Sequence, residues 1–164
     1  MLSHMSNYSR LSIASAAILA LCCGRRGWDA AKLGLGSVAV TSAVLNRVVK
    51  PVVSRRRPDR AGHQVPPARH VSMPSSTAFP SGHAAAAFAF ATGVGSALPA
   101  AGFPLRALAA LVAYSRVHTG VHYPGDVIAG ALLGGALAQA TSRVLGRATV
   151  SPTAGCGATR AQRR

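Results

Sequence analysis

Five apolar stretches fill most of the chain, at roughly residues 11–23, 33–49, 84–98, 104–115 and 127–144. A bilayer core about 30 Å thick needs about 20 helical residues, with a range near 17–25. The polar ends of most stretches bring them close to that range. None carries the polar face that a surface helix turns to water. Five such helices packed in water would leave no outer surface to hydrate, which argues against the alternative of buried helices in a soluble protein. The expected fold class is all-α, an integral-membrane helical bundle of about five transmembrane helices. Residues 11–23 lack a small-x-small site followed by a mature domain, so they read as a membrane helix and not as a signal peptide. Gly130 and Gly134 have the spacing that lets helices approach closely in lipid, although a general Ala/Gly bias would produce the same pair.

Charge agrees with this reading. The 164 residues hold three acids, Asp29, Asp59 and Asp126, no Glu, and a net charge of +15. Such an excess suits either nucleic acid or an anionic membrane surface. The apolar stretches select the membrane, so membrane lipids and not nucleic acid are the expected partners. Cys22 and Cys23 are adjacent and Cys156 stands apart. The odd count reads as free thiols, and no zinc-type spacing is present. Residues 148–164 read as a basic, disordered tail. His4, His63 and His70 read as solvated, and Tyr8 and Trp28 as interfacial anchors.

Three polar clusters stand at the ends of these stretches. They are Lys50 to Pro58, Pro80-Ser81-Gly82-His83, and Ser115 to Asp126. Lys50, Arg57 and Arg116 can clamp a phosphoryl group, arginine by a forked donor set and lysine as a point charge. Arg55 and Arg56 offer the same charge, and headgroup binding is the expectation for those two. Ser81 and Gly82 open a helix whose first N–H groups attract anions. Gly82 permits close backbone approach, and Ser81 can cap the helix. His83 can protonate a leaving oxygen. His122 and Asp126 are four residues apart, so a carboxylate bonded to one ring nitrogen would leave the other free to attack. His118, His122 and Asp126 would suit a metal on a continuous helix, but Gly120, Pro124 and Gly125 argue against one there. No metal and no cofactor is expected.

If each stretch crosses the membrane, the chain alternates sides, and all three clusters fall on the same side. Lys and Arg tie between the two sides until Lys50, Arg57 and Arg116 are set aside as ligands. The positive-inside rule then faces the site outward. The expected location is a multi-pass cell-membrane protein with its active site on the extracytoplasmic face.

The clusters resemble the signature of the type 2 phosphatidic acid phosphatase (PAP2) superfamily, membrane lipid phosphatases related to vanadium haloperoxidases. Its pattern is Lys-x6-Arg-Pro, Pro-Ser-Gly-His, and Ser-Arg-x5-His-x3-Asp. Lys50, Arg57 and Pro58 match the first part, residues 80–83 the second, and Ser115, Arg116, His122 and Asp126 the third. The resemblance covers about residues 9–144, its flanking residues look bacterial, and residues 78–89 resemble actinobacterial members. It implies metal-independent hydrolysis of a lipid phosphate or diphosphate. It also implies His122 as nucleophile, His83 as general acid, Asp126 as the orienter of His122, and Lys50, Arg57, Ser81, Gly82 and Arg116 around the phosphate. Residues 8–147 are then the phosphatase domain. Many bacterial members have six spans and five are drawn here, which suggests a homo-oligomer or a helper membrane protein. The rival expectations are a non-catalytic binder of anionic lipids and a vanadate-dependent haloperoxidase-like enzyme.

Overall fold

The computed structural model describes residues 6–149 other than His63, and of residues 6–11 and 146–149 it describes the backbone alone. His4, His63, Cys156 and nearly all of the expected tail therefore lie outside the described residues, as does the Tyr8 side chain. The helices are α1 (Ser6–Cys22), α2 (Gly24–Val44), the three-residue α3 (Lys50–Val52), α4 (Gly82–Ala97), α5 (Pro99–His118) and α6 (Pro124–Thr149). A π-helical turn at Leu45–Val49 joins α2 to α3 without a break. Its wider ring closes with the Lys50 N–H donating to the Leu45 carbonyl. There is no strand among the described residues, and the five long helices match the expected all-α bundle.

Two of the intervals between the apolar stretches are helical. Residues 24–32 form the start of α2. There Gly27, Ala30, Ala31 and Gly34 are buried, while Arg25, Arg26, Trp28 and Asp29 face out. That is a helical stripe, but glycine and alanine give it almost no hydropathy contrast, so the polar side chains dominate the reading. Residues 99–103, between the third and fourth apolar stretches, form the first turn of α5. Pro99 sits at the opening of that helix, where the missing N–H would have no partner anyway.

α4 is the central helix and packs against α1, α2, α5 and α6. Its buried residues are mostly small, including Ala84, Ala85, Ala89, Ala91 and Gly93. Many large apolar side chains lie outside, with Leu21 85%, Phe103 80% and Leu132 69% exposed. Water-soluble domains usually bury such side chains. Small residues between helices and large ones outside are the arrangement that lipid favours. By length and composition, Pro124–Leu145 is long and apolar enough to cross a membrane, and Ser12–Cys22 is a shorter apolar helix.

The Gly130/Gly134 pair seats α6 on α4. A Cβ at Gly130 would meet the Ser81 carbonyl, and one at Gly134 would collide with the Ala85 carbonyl. Glycine at both positions therefore brings the start of α6 against the start of α4. The residues on either side of this contact form the site.

Candidate active site

Two loops meet at one end of the bundle, residues 53–81 between α3 and α4, and residues 119–123 between α5 and α6. Arg57 pins them together. Its Nε donates to the Ser76 carbonyl at 2.9 Å, and its Nη2 reaches Ser76 Oγ and the Thr77 carbonyl, each at 3.3 Å. Its Nη1 donates to the Val121 carbonyl at 3.1 Å. The shorter loop folds back on α5, where the Val121 and His122 N–H groups donate to the Arg116 carbonyl at 3.1 and 3.2 Å. The Ser81 N–H donates to the Asp126 carbonyl at 2.9 Å, so the openings of α4 and α6 are bonded directly.

His122 is only 3% exposed. Its Nδ1 lies 2.8 Å from the Ala78 carbonyl oxygen. A carbonyl can only accept, so Nδ1 carries the proton and Nε2 carries the lone pair. Arg57 Nη1 lies 3.3 Å from Nε2 and donates to it. Burial, followed by the charge of Arg57, lowers the His122 pKa to about 4, with Arg116 and Lys50 adding to the effect and the Ala78 hydrogen bond opposing it. The ring is therefore neutral near pH 7 and presents a nucleophilic nitrogen toward the cations.

The other expected residues surround this ring. The charges of Arg116, His122, Arg57 and Lys50 all reach His83 on the first turn of α4. A Cβ placed on Gly82 would stand 3.7 Å from Lys50 Nζ, so a side chain there would enter the space beside the amine. Ser81 is fully buried and caps α4, its Oγ accepting from the Ala84 N–H at 3.5 Å. Arg116 occupies the last turn of α5, with Nε 3.4 Å from Ser115 Oγ. Lys50, Arg57, Ser81, Gly82, His83, Arg116, His122 and Asp126 thus come from four helices and two loops to one end of the bundle. His118 is not part of this group and stacks on Tyr114 at 5.6 Å between ring centroids.

The support of His122 differs from expectation. Asp126 Oδ2 is 3.8 Å from Nδ1, too far for a hydrogen bond. The fully buried carboxylate instead accepts from Arg55 Nη1 at Oδ1 and from the Tyr123 N–H at Oδ2, each at 2.9 Å. The bond at Nδ1 goes to Ala78, a backbone partner that leaves no mark in sequence. Arg55 was expected to bind headgroups, yet its side chain is committed to Asp126 and to the face of Tyr123, 4.5 Å away. Charge alone could not separate Arg55 from its neighbour Arg56, which is exposed.

The sequence profile of the PAP2 superfamily matches residues 31–149. The chain is 39% identical over 136 residues to the decaprenylphosphoryl-5-phosphoribose phosphatase of Mycobacterium tuberculosis (strain ATCC 25618 / H37Rv), covering 81% of this chain and 71% of that protein. It is 32% identical over 118 residues to the lipid A 1-phosphatase of Rhizobium etli, covering 69% of this chain and 50% of that protein. Among solved structures it resembles the first transmembrane PAP2 type phosphatidylglycerolphosphate phosphatase from Bacillus subtilis. That match has a TM-score of 0.62 and 27% identity, and covers 88% of this chain and 70% of that one. With the motif residues gathered at one end of a helical bundle and the match spanning most of its length, the chain belongs to the PAP2 superfamily.

Proposed function

We propose that the chain is a membrane lipid phosphatase that hydrolyses a lipid phosphomonoester or diphosphate through a phosphohistidine at His122. The observation that carries this reading is the neutral, buried His122 ring, with Nε2 turned toward Arg57 and with His83, Lys50 and Arg116 within electrostatic reach. Arg57 leaves Nε2 for a phosphate oxygen when substrate arrives. Nε2 then forms a bond to phosphorus and the ester P–O bond breaks, and His83, which takes up a second ring proton from solvent once the phosphate anion offsets the surrounding cations, gives that proton to the departing oxygen. The three cations offset the charge gathered on the phosphoryl oxygens. Water next attacks the phosphohistidine and passes its proton to His83, and phosphate leaves with His122 restored. Asp126 stabilises the ring while it is cationic. All the groups this sequence needs are side chains of the chain itself, so the reaction proceeds without a metal.

The outer surface supports a lipid substrate. A cavity of about 310 Å³ lies between α1, α4 and α5, lined by Ser12, Phe90, Leu105, Leu108, Val112 and Ser115, among others. It reaches Ser115, next to Arg116, and has the size and apolar lining of a small-ligand pocket. In this reading residues 8–147 form the catalytic domain, the long helices cross the membrane, and the site opens on the extracytoplasmic face. The relatives act on a decaprenylphosphoryl sugar phosphate, a lipid A phosphate and phosphatidylglycerolphosphate, as their names state. The shared feature is a phosphate on a lipid, and that is the substrate class assigned here. A homo-oligomer or a helper membrane protein would be a further partner.

The test is phosphate release by the purified protein in detergent, in the presence of EDTA, from phosphatidate, phosphatidylglycerophosphate and polyprenyl diphosphate. Release from at least one of them is expected, and His122→Ala should reduce it to background. Activity that requires an added metal, or a His122→Ala variant with the wild-type rate, would sink the mechanism.

A further inference from the structure

We infer that Arg55, which lies outside the phosphate-ligand set, is the positioning residue for the His122 ring and secures both groups that face Nδ1. The inference rests on the reading of His122 as the nucleophile. Nδ1 faces the Ala78 carbonyl at 2.8 Å and Asp126 Oδ2 at 3.8 Å. Arg55 holds the first through its backbone, since its carbonyl accepts from the Ala78 N–H at 2.9 Å. It holds the second through its side chain, since Nη1 donates to Asp126 Oδ1 at 2.9 Å. The same guanidinium lies over the ring of Tyr123, the residue after His122. One arginine therefore bridges the loop before α4 and the turn before α6.

The electrostatics make this bridge consequential. Asp126 is fully buried, whereas the Arg55 side chain is 46% exposed. A buried carboxylate that loses its cation seeks another donor, because an unpaired buried charge is costly. The imidazole Nδ1–H, 3.8 Å from Oδ2, is a donor within reach. Without Arg55, Asp126 would draw Nδ1–H away from Ala78, and the ring would turn about its own bond. Nε2 would then leave the line of attack. A displacement of about 1 Å at a reacting atom can cost about 10²-fold in rate. Arg55 thus keeps Asp126 close enough to stabilise the cationic ring and far enough not to take over its orientation.

The test compares wild type, Arg55→Met, Arg55→Lys and His122→Ala in detergent, on whichever lipid phosphate the wild type hydrolyses. Arg55→Met should lower kcat by about 10²-fold and leave KM within about twofold. Added guanidinium ion should restore at least tenfold of that loss through the exposed side of the site. Arg55→Lys, which keeps the cation, should fall between Arg55→Met and wild type. Wild-type kcat in Arg55→Met would overturn the inference. So would a raised KM with kcat intact, which would make Arg55 a substrate ligand. A loss that neither guanidinium nor lysine repairs would reduce Arg55 to a general structural part and likewise overturn it. The His122→Ala arm is independent, because turnover there would defeat the nucleophile assignment and not the placement of Arg55.

Discussion

At the polar end of the molecule, Arg57 alone bonds to Ser76, Thr77, Val121 and His122. Along the shaft, α4 meets α2 and α6 largely through alanine and glycine, whose side chains have nothing to donate or accept. The loops at the end depend on specific donors, since each buried polar group there needs its partner. The shaft depends on steric fit, with helix backbones so close that an added methyl group has nowhere to go. A residue's contribution therefore follows its location more closely than its chemical type. The same arginine that would be a burden in the shaft organises the site, and a leucine that would anchor a soluble core lies outside.

The largest effect is expected from breaking the polar end. Arg57→Ala removes a proposed phosphate ligand and unpins both loops, and phosphate release should fall at least 10²–10³-fold, the loss typical for one donor to transition-state charge. Helix content by circular dichroism should change little. The reciprocal test is Gly134→Leu in the shaft. Overpacking there should cost about 1–3 kcal/mol, read as a lower unfolding temperature in detergent, with activity lost as α6 moves off α4. A smaller, graded effect is expected with pH. Because the His122 pKa is lowered to about 4, the ring stays unprotonated above that value, and kcat/KM should decline as pH falls through about 4. Stability changes with the same sign. Between the ordinary histidine value of about 6.5 and about 4, the unfolded chain binds the proton and the folded one does not. The contribution is complete above that window and is lost as pH falls through it, and His122→Gln should remove this part of the pH slope. The smallest effect belongs to the exposed apolar surface. Leu111 is 64% exposed, and Leu111→Ala should change the unfolding temperature by an amount equivalent to less than about 0.5 kcal/mol.

The polar end was more legible in sequence than the shaft. Lys50, Arg57, His83, Arg116, His122 and Asp126 are scarce residue types at the ends of apolar stretches, so their convergence could be argued from helix count alone. Trp28, also read from sequence, is exposed and lies beneath Lys32. Helix limits were harder to place. Residues 24–32 hide a buried stripe of glycine and alanine beneath arginines, and α5 begins at Pro99, ahead of the apolar stretch drawn from residue 104. The support of His122 was out of reach for a different reason. Its partner is a main-chain oxygen 44 positions away in sequence, and no side chain at position 78 records it. Arg55 was visible as a charge, but its attachment to Asp126 depends on how the loop folds back.

The wide turn that precedes Lys50 carries one surplus residue relative to a regular helix. Such insertions persist mainly where they redirect a side chain. Each residue of a regular helix turns the chain by about 100°, so rewinding the same residues regularly, with the Lys50 N–H bonded to the Asn46 carbonyl and not to that of Leu45, would swing the Lys50 amine around the axis, away from Gly82. The cationic bowl would lose one of its walls through a change of helical phase, with every residue of the three motifs still present in the chain.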